Sequence, residues 1–188
     1  MRIFMSGGCK NGKSYYAQHL AKAQQQAGAL YYVATMQSAD SEDDGRIIRH
    51  RQERDGWGFI TVEQPNNIEE LLDKCDCGGS FLLDSVTALL ANEMFAPPDY
   101  AVDENAAVKI ADGLLKVIRS VENIVIVSDY IYSDAALYDE LTEKYRAALA
   151  EIDRAAAKAC DVVLEAAYTN VIVHKGGEMF GELYAQIG

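Results

Sequence analysis

The sequence predicts an α/β domain with a mainly parallel sheet flanked by helices. Short apolar runs bounded by turn residues alternate with longer helix-like segments along the 188 residues, and this alternation is typical of βαβ units. The composition, with 49% hydrophobic and 24% charged residues, is that of an ordinary globular protein. The length suits one domain, which we expect to span residues 1–188.

The elements follow from the pattern of apolar and turn residues. Strands are predicted at residues 2–5, 30–34, 59–62, 81–83, 124–127, 162–165 and 171–173. Helices are predicted at residues 13–26, 68–74, 86–95, 104–119 and 134–158. Gly28 ends the first helix, and Pro97 with Pro98 ends the third. The charged segment 38–54 predicts a surface helix or an ordered flap.

Charge and composition exclude several functional classes. The net charge of −12 argues against nucleic-acid binding, because clustered lysine and arginine are needed to hold a phosphate backbone. No stretch approaches the roughly 20 apolar residues of a membrane span, and the first residues lack the features of a secretory signal. We therefore expect a cytoplasmic protein. The spacing of the four cysteines fits neither a zinc site nor a redox pair.

A glycine-rich motif follows the first predicted strand and opens the first predicted helix. It satisfies G-x-x-x-x-G-K-[ST] and consists of Gly7, Gly8, Cys9, Lys10, Asn11, Gly12, Lys13 and Ser14. Such a loop turns its backbone amides toward phosphates at the positive end of a helix. Lys13 adds a charge, and Ser14 offers a hydroxyl to Mg²⁺. The motif predicts a P-loop NTPase fold that binds a nucleoside triphosphate, whereas a turn that merely connects two elements would not need this spacing.

An acidic residue ends the predicted strand 81–83. Asp84 is a candidate direct or indirect ligand of Mg²⁺, because ligand residues in open α/β sheets lie at strand ends. The alternative is a helix cap, with Asp84 or Ser85 supplying the oxygen.

Further motifs cover most of the chain in a specific order. They are Tyr32-Val33-Ala34-Thr35, the arginine-rich stretch 46–51 with Arg54 and Trp57, Thr61-Val62-Glu63 with Pro65, and residues 82–87 leading to Asn92. With the loop, they resemble the bifunctional adenosylcobinamide kinase/adenosylcobinamide-phosphate guanylyltransferase family of cobalamin biosynthesis. The resemblance implies a transferase that phosphorylates the aminopropanol hydroxyl of adenosylcobinamide with a nucleoside triphosphate. It also implies that the same enzyme then transfers GMP from GTP to that phosphate and releases pyrophosphate.

The resemblance implies that GMP transfer passes through a phosphoramidate on His50, with Lys13 as the other catalytic residue. A neutral imidazole is a competent nucleophile near pH 7. The neighbouring arginines at positions 46, 49, 51 and 54 would neutralise the phosphates. From the residues alone, a histidine on an arginine-rich surface helix is more often solvated than catalytic, and His19 and His174 receive no catalytic role.

The resemblance also implies the nucleotide-binding positions and the ligands. Besides the loop, the positions are Ala34, Thr35, Met36, Arg51, Gln52, Glu53, Arg54, Glu63 and Asp84. Glu63 would accept hydrogen bonds from guanine or ribose, although an exposed strand-end acid has the same sequence signature. Mg²⁺, ATP, GTP and a corrinoid acceptor are implied, together with a homo-oligomer, a trimer by resemblance.

The last third of the chain departs from the family pattern. Residues 128–133 read Ser-Asp-Tyr-Ile-Tyr-Ser where the family carries Asn-Glu-Val-Gly and a glycine-containing loop, and only Tyr145 and Arg146 persist from a later motif. Polar groups built for one substrate reject another strongly. Two alternatives therefore stay open, a P-loop kinase acting on another small molecule and a nucleotide-binding regulatory protein without turnover.

Overall fold

A computed structural model describes residues 1–37, 45, 48, 52, 54–98, 100–132, 134–168 and 170–185. The strands are β1 (Arg2–Gly7), β2 (Leu30–Ala34), β3 (Phe59–Glu63), β4 (Ser80–Asp84), β5 (Asn123–Asp129), β6 (Val162–Ala167) and β7 (Asn170–Lys175). The helices are α1 (Lys13–Ala23), α2 (Leu71–Lys74), α3 (Val86–Met94), α4 (Ala106–Ser120), α5 (Glu140–Ala159) and α6 (Gly177–Tyr184).

The strands form one sheet in the order β3-β2-β4-β5-β1-β6-β7. Every neighbouring pair is parallel except β6 and β7, which are antiparallel. Gly7 at the end of β1 lies in register with Asp129 of β5 and Ala166 of β6. The predicted α/β fold with a mainly parallel sheet is confirmed, and the carboxyl ends of the parallel strands meet at one edge.

Helices cover the two faces of the sheet with separate apolar clusters. Phe81 and Leu83 of β4 belong to the cluster that includes residues of α3, α4 and α5. Leu82, which points to the opposite face, belongs to the cluster that includes residues of α1 and α6. The strand is apolar on both faces because both are buried, as expected for a parallel sheet between two helical layers.

The structure differs from the sequence prediction mainly at element ends. Strands β1 and β5 continue to Gly7 and Asp129, two residues beyond their last bulky apolar residue. Helix α5 begins at Glu140 rather than at 134, because the Asp139 side chain accepts a hydrogen bond from the Thr142 amide and caps it. The predicted helix 68–74 is a 3₁₀ turn followed by α2. Helix α6 occupies a tail for which the sequence predicted no element.

The composition raised expectations about membrane spans and about the cysteines. Within them, no helix has the length and apolar character needed to cross a membrane. Cys9, Cys75, Cys77 and Cys160 are free thiols. Most of the predicted surface helix or flap at 38–54 lies outside the described residues.

Candidate nucleotide-binding site

The glycine-rich loop joins the central strand β1 to the helix α1. A Cβ atom on Gly7 would collide with the carbonyl oxygen of Ala166 on the neighbouring strand. Gly12 caps α1 with φ 82°, a left-handed conformation that glycine adopts without strain. Asn11 Nδ2 donates to the Ala166 carbonyl oxygen at 3.4 Å. The loop therefore lies tightly against the end of β6, and side chains at Gly7 or Gly12 would disturb it.

Lys13 is buried at the start of α1, where only 7% of its side chain is exposed. Its Nζ donates to the Gly8 carbonyl oxygen at 2.7 Å and lies 2.8 Å from Asp129 Oδ1. The Asp129 side chain is 32% exposed. The lysine charge thus lies between the loop and the end of β5, beside a carboxylate that reaches solvent.

Asp84 lies beside Ser14 across the edge of the sheet. Ser14 Oγ donates to Asp84 Oδ2 at 3.2 Å, and the Tyr32 hydroxyl donates to the same oxygen at 2.9 Å. The cap of α3 is Ser85, whose Oγ accepts from the Ala88 amide at 3.3 Å. Asp84 does not cap the helix, so its carboxylate faces the loop.

The donor atoms at Ser14 and Asp84 fit Mg²⁺. This cation prefers oxygen ligands, keeps several waters, and is commonly held by one or two protein groups together with substrate phosphates. Among the described residues there is no cluster of three or more His, Cys, Asp or Glu that could hold a metal alone. A metal at this edge would therefore be held jointly by the protein and the triphosphate.

The end of β5 contributes groups that the sequence analysis treated only as departures from a pattern. The Asp129 amide donates to Thr87 Oγ1 at 3.0 Å, and the Tyr130 amide donates to the Gly7 carbonyl oxygen at 2.9 Å. The Tyr145 hydroxyl donates to the Thr87 carbonyl oxygen at 2.7 Å. Asp129 could have been found by the reasoning used for Asp84, since both acids end an apolar strand.

A buried carboxyl group lies behind this strand end. Asp153 of α5 is 2% exposed, and its Oδ2 accepts from Ser128 Oγ at 2.9 Å and from the Tyr132 hydroxyl at 3.0 Å. Burial raises the pKa of Asp153 to about 7; the two hydrogen bonds oppose this rise, and nearby Asp129 adds to it. No feature of the sequence indicates this buried group, because an acid on an amphipathic helix is usually solvated.

The polar groups of Thr35 bind other parts of the protein. Thr35 Oγ1 donates to the Ser85 carbonyl oxygen at 2.8 Å and accepts from the Ser85 amide at 2.7 Å. Asn92 Nδ2 donates to the carbonyl oxygens of Thr35 at 2.7 Å and Pro65 at 2.8 Å. These bonds join the ends of β2 and β4 and the loop after β3. Ala34 and Met36, which flank Thr35, are partly buried at the same edge.

The remaining predicted nucleotide-binding residues lie near β2 and β3. Glu63 is exposed at the end of β3 and pairs in register with Ala34. Arg54 is buried, with Cζ 3.4 Å from the centroid of the Tyr32 ring, and Gln52 is exposed. Arg54 also lines a cavity of about 460 Å³ with Phe59 and Thr61. Because the Tyr32 hydroxyl binds Asp84, this side of the site is connected to the loop.

Several predicted residues cannot be placed. His50, Arg51 and Glu53 lie outside the described residues, as do Arg46 and Arg49.

Arg146 is described and buried, and its Nε donates to the Ile131 carbonyl oxygen at 2.9 Å. Its guanidinium also pairs with Asp134 at 2.8 Å and Glu143 at 2.7 Å. Arg146 therefore holds the connection between β5 and α5.

Comparisons with known proteins give one matching family model and several solved structures of low similarity. The family model described as "Cobinamide kinase / cobinamide phosphate guanyltransferase" matches residues 3–169. A comparison with curated protein sequences gives no significant match. Among solved structures, the chain is similar to a KaiC-like protein from Pyrococcus horikoshii OT3, with 11% identity, a TM-score of 0.49 and coverage of 93% of this chain and 78% of that chain.

Two further solved structures are similar at the same low level of identity. The flagellar accessory protein FlaH from Methanocaldococcus jannaschii has 11% identity and a TM-score of 0.42, over 92% of this chain and 77% of that chain. The P4 protein of bacteriophage phi6, solved in complex with ADP, has 14% identity and a TM-score of 0.39, over 90% of this chain and 52% of that chain.

Proposed function

Because the chain belongs to the cobinamide kinase / cobinamide phosphate guanyltransferase family, whose model matches residues 3–169, we propose that it performs both family reactions with the residues predicted above. Membership confirms the resemblance seen in the sequence and makes the chain a nucleotide-dependent transferase of cobalamin biosynthesis. The individual residue roles, the use of Mg²⁺ and a homo-oligomeric assembly belong to the proposal. The observation that carries it is the contact of Lys13 and Ser14 with Gly8, Asp129 and Asp84 at one edge of the sheet.

In the kinase step, the acceptor hydroxyl oxygen attacks the γ-phosphorus, and the bond from that phosphorus to the β-γ bridging oxygen breaks. The nucleoside diphosphate leaves with the bond electrons, and Lys13 with the loop amides neutralises the charge. Asp129 is proposed to accept the hydroxyl proton, which its exposure and its place beside Lys13 support. Mg²⁺ held by Ser14 and Asp84 would neutralise phosphate oxygens when bound.

In the guanylyl step, a ring nitrogen of His50 is proposed to attack the α-phosphorus of GTP and expel pyrophosphate. The phosphate of adenosylcobinamide phosphate then attacks the same phosphorus, breaks the nitrogen–phosphorus bond and regenerates the imidazole. The support for His50 is its position in the arginine-rich stretch within the family match. Arg54 and Glu63 are proposed to contact this nucleotide near β2 and β3.

Labelling with α-³²P-GTP tests the guanylyl step. We expect an acid-labile, alkali-stable label on the protein that disappears in His50→Ala, because phosphoramidates have this stability pattern. The chain contains three histidines, so His19→Ala and His174→Ala are matched controls that should keep the label. A label that survives in His50→Ala would refute the histidine mechanism.

Transfer of γ-³²P to adenosylcobinamide tests the kinase step. Lys13→Ala should lower nucleotide affinity by roughly tenfold or more, since a charge-assisted hydrogen bond contributes about 1.5–3 kcal/mol. Lys22→Ala, which removes a solvent-exposed lysine from the other end of α1, is the control. Kinase activity without labelled protein would favour a plain kinase. Nucleotide binding without turnover on any acceptor would favour a regulatory protein.

Sedimentation equilibrium tests the proposed homo-oligomer, for which a trimer is expected from the family. A monomer at assay concentrations would contradict it.

A further inference from the structure

A second cavity, of about 180 Å³, lies where α1 meets β7 and α6. Most of its walls are aromatic, and its lining includes Tyr15, Tyr16, His19, Val171, Phe180 and Tyr184. Among the described residues that line it, there is no lysine, arginine, aspartate or glutamate. Such a cavity suits a flat, weakly polar ring and gives no counter-charge to a phosphate.

The two walls of the cavity are formed by clusters of rings in contact. On α1, the centroid of the Tyr15 ring lies 4.2 Å from that of the His19 ring and 5.8 Å from that of the Tyr16 ring. On α6, the Phe180 and Tyr184 rings are 5.3 Å apart. Tyr15 and Tyr184 nevertheless remain 64% and 48% exposed. Clustered aromatic surface that stays exposed marks a binding site more often than chance placement does.

The cavity begins beside the phosphate-binding residues. Tyr15 and Tyr16 directly follow Ser14, and a Cβ atom on Gly12 would lie 3.9 Å from Tyr16 Cε2. His19 is five residues after Ser14, about 7.5 Å further along the helix axis at 1.5 Å per residue. A ribose can bridge that distance, so a triphosphate held by the loop can place its base among these rings.

His19 adds a directional polar group to the aromatic lining. Its Nδ1 lies 2.8 Å from the Tyr15 carbonyl oxygen. A carbonyl oxygen only accepts, so Nδ1 carries the proton, and Nε2 of the neutral ring is an acceptor. Ring N–H and amino groups of nucleobases are the matching donors.

The geometry points to this cavity as the site of the heterocyclic base of the nucleoside triphosphate held by residues 7–14. The inference rests on the proposed binding of a triphosphate by that loop. This base site for the phosphoryl donor is beside β7, whereas Glu63, proposed to contact the guanylyl donor, lies on β3 at the other end of the sheet.

Comparing nucleotides with inorganic tripolyphosphate isolates the contribution of the base. Calorimetry with ATP and tripolyphosphate, each with Mg²⁺, should show ATP binding the wild-type chain about tenfold more tightly, as expected for stacking on aromatic side chains. Tyr15→Ala and Tyr184→Ala should each reduce this ratio, and the double variant should bring it close to one. The affinity for tripolyphosphate should not change. Tyr100→Ala is the control, because Tyr100 is 66% exposed and does not line the cavity.

The single tryptophan provides an independent readout. The Trp57 ring centroid lies 4.6 Å from that of His19, so ATP should change its fluorescence in the wild-type chain but not in the double variant, whereas tripolyphosphate should change it in neither. Labelling of the protein by α-³²P-GTP should persist in the double variant, since guanine is predicted to bind elsewhere.

Three results with the double variant would overturn the inference. The first is a nucleotide-to-tripolyphosphate ratio that stays unchanged in the double variant, and the second is an equal loss of affinity for tripolyphosphate. The third is that the double variant loses discrimination between adenosylcobinamide and cobinamide lacking the adenosyl group while ATP binding is unaffected; the cavity would then hold the adenine of the acceptor. A wild-type chain that binds neither nucleotides nor tripolyphosphate would refute the proposed function together with this inference. Normal phosphate binding with no base effect would refute the inference alone.

Discussion

Lys13 has an anionic partner at the end of β5. Asp129 Oδ1 lies 2.8 Å from Lys13 Nζ, in a position where the side chain is partly open to water. An incoming triphosphate must share or replace this partner, and its negative charge is repelled by the same carboxylate. Asp129 therefore opposes nucleotide binding while it is proposed to assist the transfer of the γ-phosphate.

Asp129→Asn should separate these two effects. We expect nucleotide affinity to rise by roughly three- to tenfold, because a partly exposed ion pair contributes on the order of 1 kcal/mol. Phosphoryl transfer to adenosylcobinamide should fall at least about tenfold, because the amide accepts no proton. Calorimetry and single-turnover kinetics measure the two quantities. Asp112→Asn, which removes an exposed charge from α4, is the control, and weaker nucleotide binding in Asp129→Asn would contradict this account.

Helix α3 begins two residues after Asp84, so the geometry of its first turn bears on the site. Ser85 caps this helix through its side chain, while its backbone amide and carbonyl group bind Thr35 Oγ1. One residue thus starts the helix and joins β4 to the end of β2.

Ser85→Ala should lower the free energy of unfolding by about 1 kcal/mol, the usual contribution of a helix cap. Urea unfolding followed by circular dichroism measures this loss. Ser85→Thr keeps a hydroxyl cap and should restore most of the stability. The backbone bonds to Thr35 survive both changes, so equal losses in the two variants would argue against the cap as the cause.

The sequence predicted the order and type of the elements better than their ends. Leu30–Ala34 was predicted with the bounds it has, because its apolar run is bounded on both sides. Gly7 and Asp129 were placed beyond the ends of their predicted strands, since strand ends are fixed by hydrogen bonds between distant strands that a local pattern does not contain. The glycine-rich motif is local, so it predicted the loop. The partner of Lys13 lies at the end of β5 and comes close only because β5 pairs with β1.

The stability of the whole molecule should depend on the proton carried by Asp153. Burial raises its pKa to about 7 in the folded protein, whereas an unfolded chain loses this proton near pH 4. Between these values the folded state binds more protons than the unfolded state, so this group makes stability fall as the pH rises. The fall in stability is complete above about pH 7. Below about pH 4 Asp153 is protonated in both states and does not change the stability.

Asp153→Asn should remove this part of the pH dependence. From pH 5 to pH 8 the wild-type free energy of unfolding should drop relative to that of the variant, by up to about 1.4 kcal/mol for each pH unit below the folded pKa. Urea unfolding of both proteins at the two pH values measures the difference. The contributions of the other titrating groups to the free energy of unfolding cancel in this comparison. Parallel pH profiles would show that Asp153 has an ordinary pKa.

The supports of the loop come from widely separated parts of the chain. Gly7 and Lys13 are held by residues of β5 and β6, more than 100 positions later. A ribosome therefore completes residues 7–14 long before it completes the strands on either side of β1, and long-range contacts of this kind form slowly. A nascent chain that stops before Val162 has one edge of β1 exposed, so nucleotide binding should arise only after β6 has been synthesised.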